Sequence, residues 1–453
     1  MKDIIVIGGG PGGYVAAIRA AQLGLDTVVV EKEHFGGVCL NKGCIPTKAL
    51  LQSADLLESI KSAADFGINV KGFDVDVNTI QTRKAGIINR LVSGIKYLLR
   101  ENKVETIEGE ATIIDKNTVL VDGEKTIQAK NIIIATGSSI AKPPIDGMDN
   151  DNVIFSDEAL NLSEIPKSIA IIGGGVIGIE FASYFNAMGA EVCVVEMLEN
   201  IIPNADGEIS SEMAARLRKR GIKILTGTQV KKILPDGIIV AKDGKEEKIN
   251  SEKVLVSVGR TPDTSGIDCE KLGIKKNGRA IATDKNFATS IPNIYAIGDV
   301  IGGMMLAHKA SAEGIAVVEH IAGLKHRFNA DNIPSCVYSS PEIAFVGKTE
   351  ELCKKENIKY KVGKFFYEGN GKALVEGQKG FIKVIVSEEY GEILGVHIIG
   401  KYACEMIMQG SIARTNELTA EELVYTIFPH PSVSEIFNEA FSNALGRAIH
   451  SKN

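Results

Sequence analysis

At 453 residues the chain is too long for one hydrophobic core, so roughly two to four domains are expected. Its 44% hydrophobic and 24% charged content is that of an ordinary soluble globular protein, and a net charge of −6 excludes nucleic acid or an anionic membrane as the main partner. No apolar run reaches the roughly 18 residues of a membrane helix, and seven cysteines, odd in number and widely scattered, suit a reducing cytoplasm better than a disulfide scaffold.

The first element predicted is a buried parallel strand, Ile4 to Ile7. Glycines interrupt it too soon for a secretion signal, so it reads as mature protein. The glycines are Gly8, Gly10 and Gly13, in G-x-G-x-x-G spacing; a helical stretch and a second strand ending at Glu31 follow. In such a unit the first glycine makes a tight turn and the second lets a pyrophosphate approach the backbone. The third lets the helix pack close, the helix N-terminus faces the phosphates, and the acid binds a ribose diol.

Five residues later comes Gly36-Gly37-Val38-Cys39-Leu40-Asn41-Lys42-Gly43-Cys44-Ile45-Pro46-Thr47-Lys48. A close thiol pair beside a bound dinucleotide is suited to passing two electrons between cofactor and sulfur. As a structural staple so short a loop contributes only about 2 kcal/mol, little for a chain of this size. Further on, Ile132 to Gly137 reads as a returning strand, and Pro143-Pro144 as a linker.

Residues 169–196 then align without a gap to residues 4–31. Gly173, Gly175 and Gly178 repeat the triplet and Glu196 repeats the acid, so the chain is predicted to bind two dinucleotides. The first should exchange electrons with sulfur, as a flavin does, and the second should be a nicotinamide. Glu196 stands where a 2′-phosphate would lie and no arginine follows it, which favours NAD over NADP. Ser210 to Arg220 reads as an amphipathic helix with a solvated face, and Val254 to Arg260 closes the second unit. Ile294 to Asp299 is another strand ending in glycine and acid, and strand-like runs at Phe381–Val386 and Ile393–Ile399 mark a separate C-terminal domain.

With these motifs in this order, the whole chain resembles the disulfide-reductase branch of the FAD/NAD(P)-dependent flavoproteins, and within it the lipoamide dehydrogenases. The resemblance implies an α/β fold with two Rossmann-like domains, for FAD and NAD, and a C-terminal α+β dimerisation domain. The corresponding spans are 1–145 and 270–328 for FAD, 146–269 for NAD and 329–453 for dimerisation. It implies a homodimer whose active site crosses the subunit interface.

Residue by residue, Cys39 is similar to the interchange thiol and Cys44 to the thiol beside the flavin. Lys48 corresponds to the lysine near flavin N5 and Glu180 to its carboxylate partner. Asp299 matches the acid on the ribityl chain, and Ala307, in Met305-Leu306-Ala307-His308, the helix start near the pyrimidine edge. The resemblance also implies cofactor binding at Thr136, Gly137 and Gly259. His430 matches the catalytic base, contributed by the other subunit, and Glu435 the carboxylate that orients it. Phe428 departs from the second histidine usual in lipoamide enzymes, and Ser311-Ala312-Glu313-Gly314 from the commoner Glu-Asp-Glu-Gly.

Val176 stands where glutathione reductases carry a tyrosine. The resemblance thus implies oxidation of protein-bound dihydrolipoamide with reduction of NAD⁺. No lipoyl domain precedes the first unit, so the lipoyl group is expected on a partner protein of a multienzyme complex. The alternatives are another thiol reductase of the same branch, acting on glutathione or a related disulfide, and a flavoprotein serving mainly in assembly.

Overall fold

The structure is a computed structural model that describes residues 1–452, so the last residue of the predicted C-terminal span, Asn453, lies outside the described residues. The first sheet has a parallel core in the order Glu105–Glu108, Thr27–Glu31, Lys2–Ile7, Lys125–Ile134 and Ile294–Ala296. Strand Lys125–Ile134 is long enough to serve twice. Ala129 to Ile134 pair with the first strand, while Lys125 to Gln128 open an antiparallel extension through Thr118–Val121 to Ala111–Asp115. Ile4, Ile5, Val6, Ile132, Ile133 and Ile134 are fully buried, as a sheet covered on both faces requires.

The helix Pro11–Gln22 packs against Ala307–Ile321, a contact possible because Gly12 and Gly314 leave the backbones in touch. Arg19 and Glu319 close it with an ion pair of 2.7 Å. Residues 300 apart thereby build one layer.

The second sheet is wholly parallel: Lys223–Leu225, Glu191–Val195, Ser168–Ile172, Lys253–Val256, Val153–Ile154. An antiparallel meander, Gln229–Leu234, Gly237–Lys242 and Lys245–Asn250, is appended to it. The C-terminal sheet is antiparallel, in the order Ser335–Val337, Ile343–Gly347, Ile393–Ile399, Phe381–Ser387, Tyr360–Phe366. Helices Ala403–Thr415 and Glu435–Ala444 cover it. The architecture is the expected α/β one with a C-terminal α+β unit.

Several predicted strands end early, for one reason. Ile132–Gly137 stops as strand at Ile134 and Ile294–Asp299 at Ala296, and the run Val254–Arg260 that closes the second unit is strand only to Val256. Each apolar run continues into a turn carrying a glycine with positive φ: Gly137 at +77°, Gly259 at +114°, Gly298 at +76°. The chain leaves the sheet there and its polar residues face the crevice at the strands' C-terminal ends, where open α/β sheets bind ligands.

The helix predicted at Ser210–Arg220 starts earlier, at Gly207, and has a buried face of Ile209, Met213 and Leu217 beneath its charges. Asp206 caps it and is itself fully buried. Across the gap, the Lys383 ammonium meets Asp206 Oδ1 at 2.8 Å, Glu350 Oε2 at 2.5 Å and Glu208 Oε2 at 3.3 Å. Burial alone would push Lys383 down, but Asp206 and Glu350 outweigh it and hold the ammonium charged. This cluster ties the second dinucleotide unit to the C-terminal sheet. Lys383→Met leaves the Asp206 carboxylate buried without its cation, so a loss of about 3–5 kcal/mol is expected. A lowered denaturation midpoint of the flavin-loaded protein would register it.

Candidate active site

Both glycine motifs fold alike in detail. Gly8 and Gly173 sit at φ of +104° and +110°, and a Cβ on either would lie 2.3 Å from Ala135 O or 2.5 Å from Ser257 O. Only glycine serves at these turns. At the third positions, a Cβ on Gly13 or Gly178 would come within 1.8 Å and 2.0 Å of the Gly8 and Gly173 carbonyl oxygens. That close fit lets each helix start directly over its strand.

Gly10 and Gly175 are the N-caps, with no side chain satisfying the first-turn N–H groups. A Cβ on Gly175 would meet nothing within 4 Å, so it would project into the space a pyrophosphate needs. The acids are alike too. Glu31 accepts from Gly9 N at 2.6 Å and Glu33 N at 2.7 Å; Glu196 accepts from Gly174 N at 2.7 Å and Leu198 N at 2.8 Å. Each carboxylate is fixed by two backbone donors and keeps further lone pairs for a ribose diol. These residues fit FAD at the first motif and NAD at the second.

A single cavity of about 3290 Å³ runs between the motifs, lined by Gly8, Gly10, Gly173, Gly175, Cys39 and Cys44. It is several times larger than the roughly 300–1,000 Å³ of a site for one small ligand, as two dinucleotides end to end require.

Cys39 lies on the short helix Gly37–Lys42, and Cys44 opens the helix Cys44–Lys61. Gly43 breaks the two helices apart, and Thr47 Oγ1 donates to its carbonyl at 2.7 Å. The turn brings the two free thiols close enough for one to donate to the other's thiolate. That bond pulls Cys44 down to about 7, against the effect of burial and with help from the Lys48 charge. Cys39 is pushed up, first by the same hydrogen bond and then by burial. A thiolate on Cys44 is therefore favoured over one on Cys39.

Lys48, one helical turn beyond Cys44, donates to both oxygens of Glu180, at 2.9 and 3.0 Å. Glu180 is buried in the helix Val176–Ala187 and also accepts from Tyr338 N at 2.9 Å. The Lys48 ammonium stands 4.6 Å above the Tyr338 ring. Sequence spacing gives no hint of Tyr338, 158 residues from Glu180. Replacing Lys48 by methionine removes the cation beside the thiolate. Half-ionisation of Cys44 is expected to move from about pH 7 toward the ordinary thiol range, read from thiolate absorbance or alkylation rate in the reduced protein.

Asp299 faces the cavity from the turn after Ile294–Ala296. Its Oδ2 accepts from Ser138 Oγ at 2.5 Å, and Ser138 in turn accepts from Arg260 Nε at 2.7 Å. Arg260 also donates to Ser138 O, fixing the strand beyond Thr136 and Gly137. The buried Glu313 supports the same turn, accepting from Gly298 N at 2.7 Å and pairing with Lys309 at 2.7 Å. Ala307 starts the helix that carries Glu313 and lines the cavity with His308 and Gly259. Val176, also at the cavity wall, is 39% exposed, so no side chain covers that face of the crevice.

The structure does not bring His430 to the cysteines within one chain. Its side chain is 79% exposed in the loop before Glu435–Ala444, and it is not among the residues lining the cavity. Its company is Glu435, which meets His430 Nδ1 at 2.9 Å and accepts from Ser432 N at 2.9 Å. Burial would raise Glu435, but the Ser432 N–H and His430 together hold it below the usual carboxylate range. The imidazole is thus held through Nδ1, and its Nε2 makes no hydrogen bond among the described residues. Phe428 turns inward instead, its ring parallel to Phe437 at 6.5 Å.

Among known proteins, the chain is 43% identical to a dihydrolipoyl dehydrogenase of Bacillus subtilis, over 99% of both chains. It is 41% identical to a mitochondrial dihydrolipoyl dehydrogenase of Arabidopsis thaliana, covering 99% of this chain and 91% of the relative. Of solved structures, the HOCl-induced flavoprotein disulfide reductase RclA of Escherichia coli superposes with a TM-score of 0.86 at 29% identity, over 97% of this chain and 99% of RclA. LpdA of Mycobacterium tuberculosis, 24% identical, shares the fold with a TM-score of 0.89 over 97% and 99% of the two chains. Residues 333–441 match a dimerisation domain, which supports a homodimer. Residues 2–314 match the Pyridine nucleotide-disulphide oxidoreductase profile, and the chain belongs to that family of FAD- and NAD-using enzymes.

Proposed function

We propose that the chain is a dihydrolipoyl dehydrogenase, oxidising protein-bound dihydrolipoamide to lipoamide with reduction of NAD⁺. The observation that carries this is the free Cys39–Cys44 pair, with the Lys48 charge beside it, in one cavity with two dinucleotide cradles. FAD and NAD, when bound, supply the two-electron and hydride chemistry that no side chain can. Gly8, Gly10, Gly13, Glu31, Asp299 and Lys48, with Thr136, Gly137 and Ala307, would hold the first. Gly173, Gly175, Gly178, Glu196 and Gly259 would hold the second, and Glu180 positions Lys48.

The chain's own residues do the sulfur and proton chemistry. In the oxidised enzyme Cys39 and Cys44 are joined, and His430 from the second copy takes a proton from the incoming dithiol. The thiolate so formed attacks Cys39, and Cys44 departs easily because its thiolate is already favoured near neutral pH. The substrate's second sulfur then displaces Cys39 and closes the cyclic disulfide. Glu435 holds the imidazole and stabilises its charged form between these proton transfers.

The exposed loop around His430, with Ile427 95% exposed, supports a site completed by the second subunit. We infer a lipoyl-bearing protein of a multienzyme complex as the electron donor, since a swinging dithiol could reach Cys39 through the open cavity. A reducing compartment, the cytoplasm, agrees with seven unpaired cysteines. Among the described residues no helix is long and apolar enough to cross a membrane. The sheets support the division into FAD (1–145, 270–328), NAD (146–269) and dimerisation (329–453) domains.

The deciding assay compares NADH formation from dihydrolipoamide with NADPH oxidation by glutathione disulfide. Turnover of the first and none of the second is expected. The reverse pattern would assign the chain to the glutathione-type reductases, against the fixed Glu196 carboxylate and the open face at Val176.

A further inference from the structure

Five cysteines take no part in this chemistry, and two of them meet. Cys336 lies in the strand Ser335–Val337, and Cys404 in the first turn of the helix Ala403–Thr415. Cys336 Sγ is 3.8 Å from the Cys404 carbonyl oxygen, while Cys404 Sγ is 3.7 Å from the carbonyls of Val337 and Ile343. These contacts set the Cys404 thiol close enough to donate to a Cys336 thiolate, and both residues line the cavity that holds Cys39 and Cys44. The Lys48 charge reaches both pairs.

We propose that Cys336 and Cys404 are a second redox site, closed to a reversible disulfide by a hydroperoxide, and that closing it slows the enzyme through the Lys48–Glu180 pair. Cys336 is the part-exposed member, and its thiol is held below the ordinary range chiefly by the hydrogen bond to Cys404. Cys404 is buried and pushed up, by that same bond first. Cys336 is therefore the attacking sulfur and Cys404 the resolving one.

In the first step the Cys336 thiolate forms an S–O bond as the peroxide O–O bond breaks. The leaving oxygen takes a proton, giving an alcohol, or water from hydrogen peroxide, and Cys336 becomes a sulfenic acid. In the second step Cys404 sulfur attacks Cys336. The S–S bond forms, the S–O bond breaks, and hydroxide leaves as water with the Cys404 proton. Two thiols are oxidised by two electrons and one hydroperoxide is reduced. A strong dithiol such as dithiothreitol reverses this by two exchanges, itself becoming a cyclic disulfide.

The consequence follows from position. An S–S bond of about 2.0 Å is far shorter than any noncovalent contact between two thiols, so closure draws Ser335–Val337 toward the helix. Tyr338 is the next residue, and it is the one that donates to Glu180 and underlies Lys48. Moving it disturbs the ion pair beside Cys44.

The test uses the oxidised holoenzyme, in which Cys39 and Cys44 are already paired and protected. After a few equivalents of hydrogen peroxide, then alkylation and non-reducing digestion, a peptide linking Cys336 to Cys404 is expected. Two fewer titratable thiols should accompany it, with a several-fold fall in NADH formation that dithiothreitol reverses. Cys404→Ser should accumulate a dimedone-reactive sulfenic acid on Cys336 without the link. Cys336→Ser should match the untreated rate and resist the loss. Absence of the linked peptide, or an equal loss in Cys336→Ser, would overturn the proposal. Its rate readout rests on the proposed activity, but the linked peptide does not, so a failure of that activity is told apart from a failure of this site.

Discussion

Cys39→Ser and Cys44→Ser are each expected to lower dihydrolipoamide-dependent NADH formation by about 10³-fold or more while leaving a yellow, folded flavoprotein. The two losses have different causes. Without Cys39 no sulfur is left for the incoming thiolate to attack, and Cys44 also loses the hydrogen bond that is the first cause of its low pKa. Its ionisation should then move upward even though Lys48 remains. Without Cys44 the attack on Cys39 has no leaving sulfur, and the electron pair has no thiolate from which to depart toward the cofactor cradle. Hydroxyl cannot substitute for either, because its sulfur-like exchange chemistry and its acidity near neutral pH are both lacking. The glycine turns and the Glu31 and Glu196 carboxylates make no contact with these thiols in the hydrogen-bond pattern, so cofactor retention should be unchanged. Steady-state NADH formation and the flavin absorbance of the same samples check both halves. Turnover within ten-fold of the parent in either variant would remove the thiol pair from the reaction.

What the sequence made legible follows the range of the interactions. The two nucleotide cradles close over about 28 consecutive residues, so their strands, turns, helices and acids are spaced in sequence as they are in space. The Cys39–Cys44 pair, five residues apart, is legible for the same reason, whereas the His430–Glu435 bond, equally short in range, was supplied by the resemblance. By contrast, Ser138 meets Asp299 across 161 residues and Arg260 across 122, and Tyr338 meets Glu180 across 158. Those meetings are set by which strands neighbour each other in the sheets, which no local period encodes. Resemblance supplied Lys48 with Glu180; it did not supply Tyr338, the Lys383 cluster or the Cys336–Cys404 contact. The early ends of the predicted strands have a related origin. An apolar run shows that a segment is buried, but the residue at which the backbone leaves the ladder depends on its glycine and on what waits in the crevice.

Mixing two inactive variants should restore activity. His430→Gln removes the proposed base and is expected to lower turnover by about 10²–10⁴-fold, with little change in fold because the side chain is 79% exposed. Glu435→Gln should cost less, since it weakens orientation and leaves the imidazole in place. Neither result alone says which subunit's histidine serves which cysteines. Dimers assembled from one His430→Gln chain and one Cys39→Ser/Cys44→Ser chain decide that. If the base comes from the second copy, one of the two sites in such a dimer has both an intact thiol pair and an intact histidine. If the base acted within its own chain, each site would lack one or the other. Random reassembly of equal amounts gives half mixed dimers, each with one working site of two, so about a quarter of the parent rate is expected. The exposed position of His430, outside the walls of its own cavity, is the reason this outcome is expected. A mixture no faster than its inactive components, with exchange of subunits verified by mass spectrometry, would place the base elsewhere.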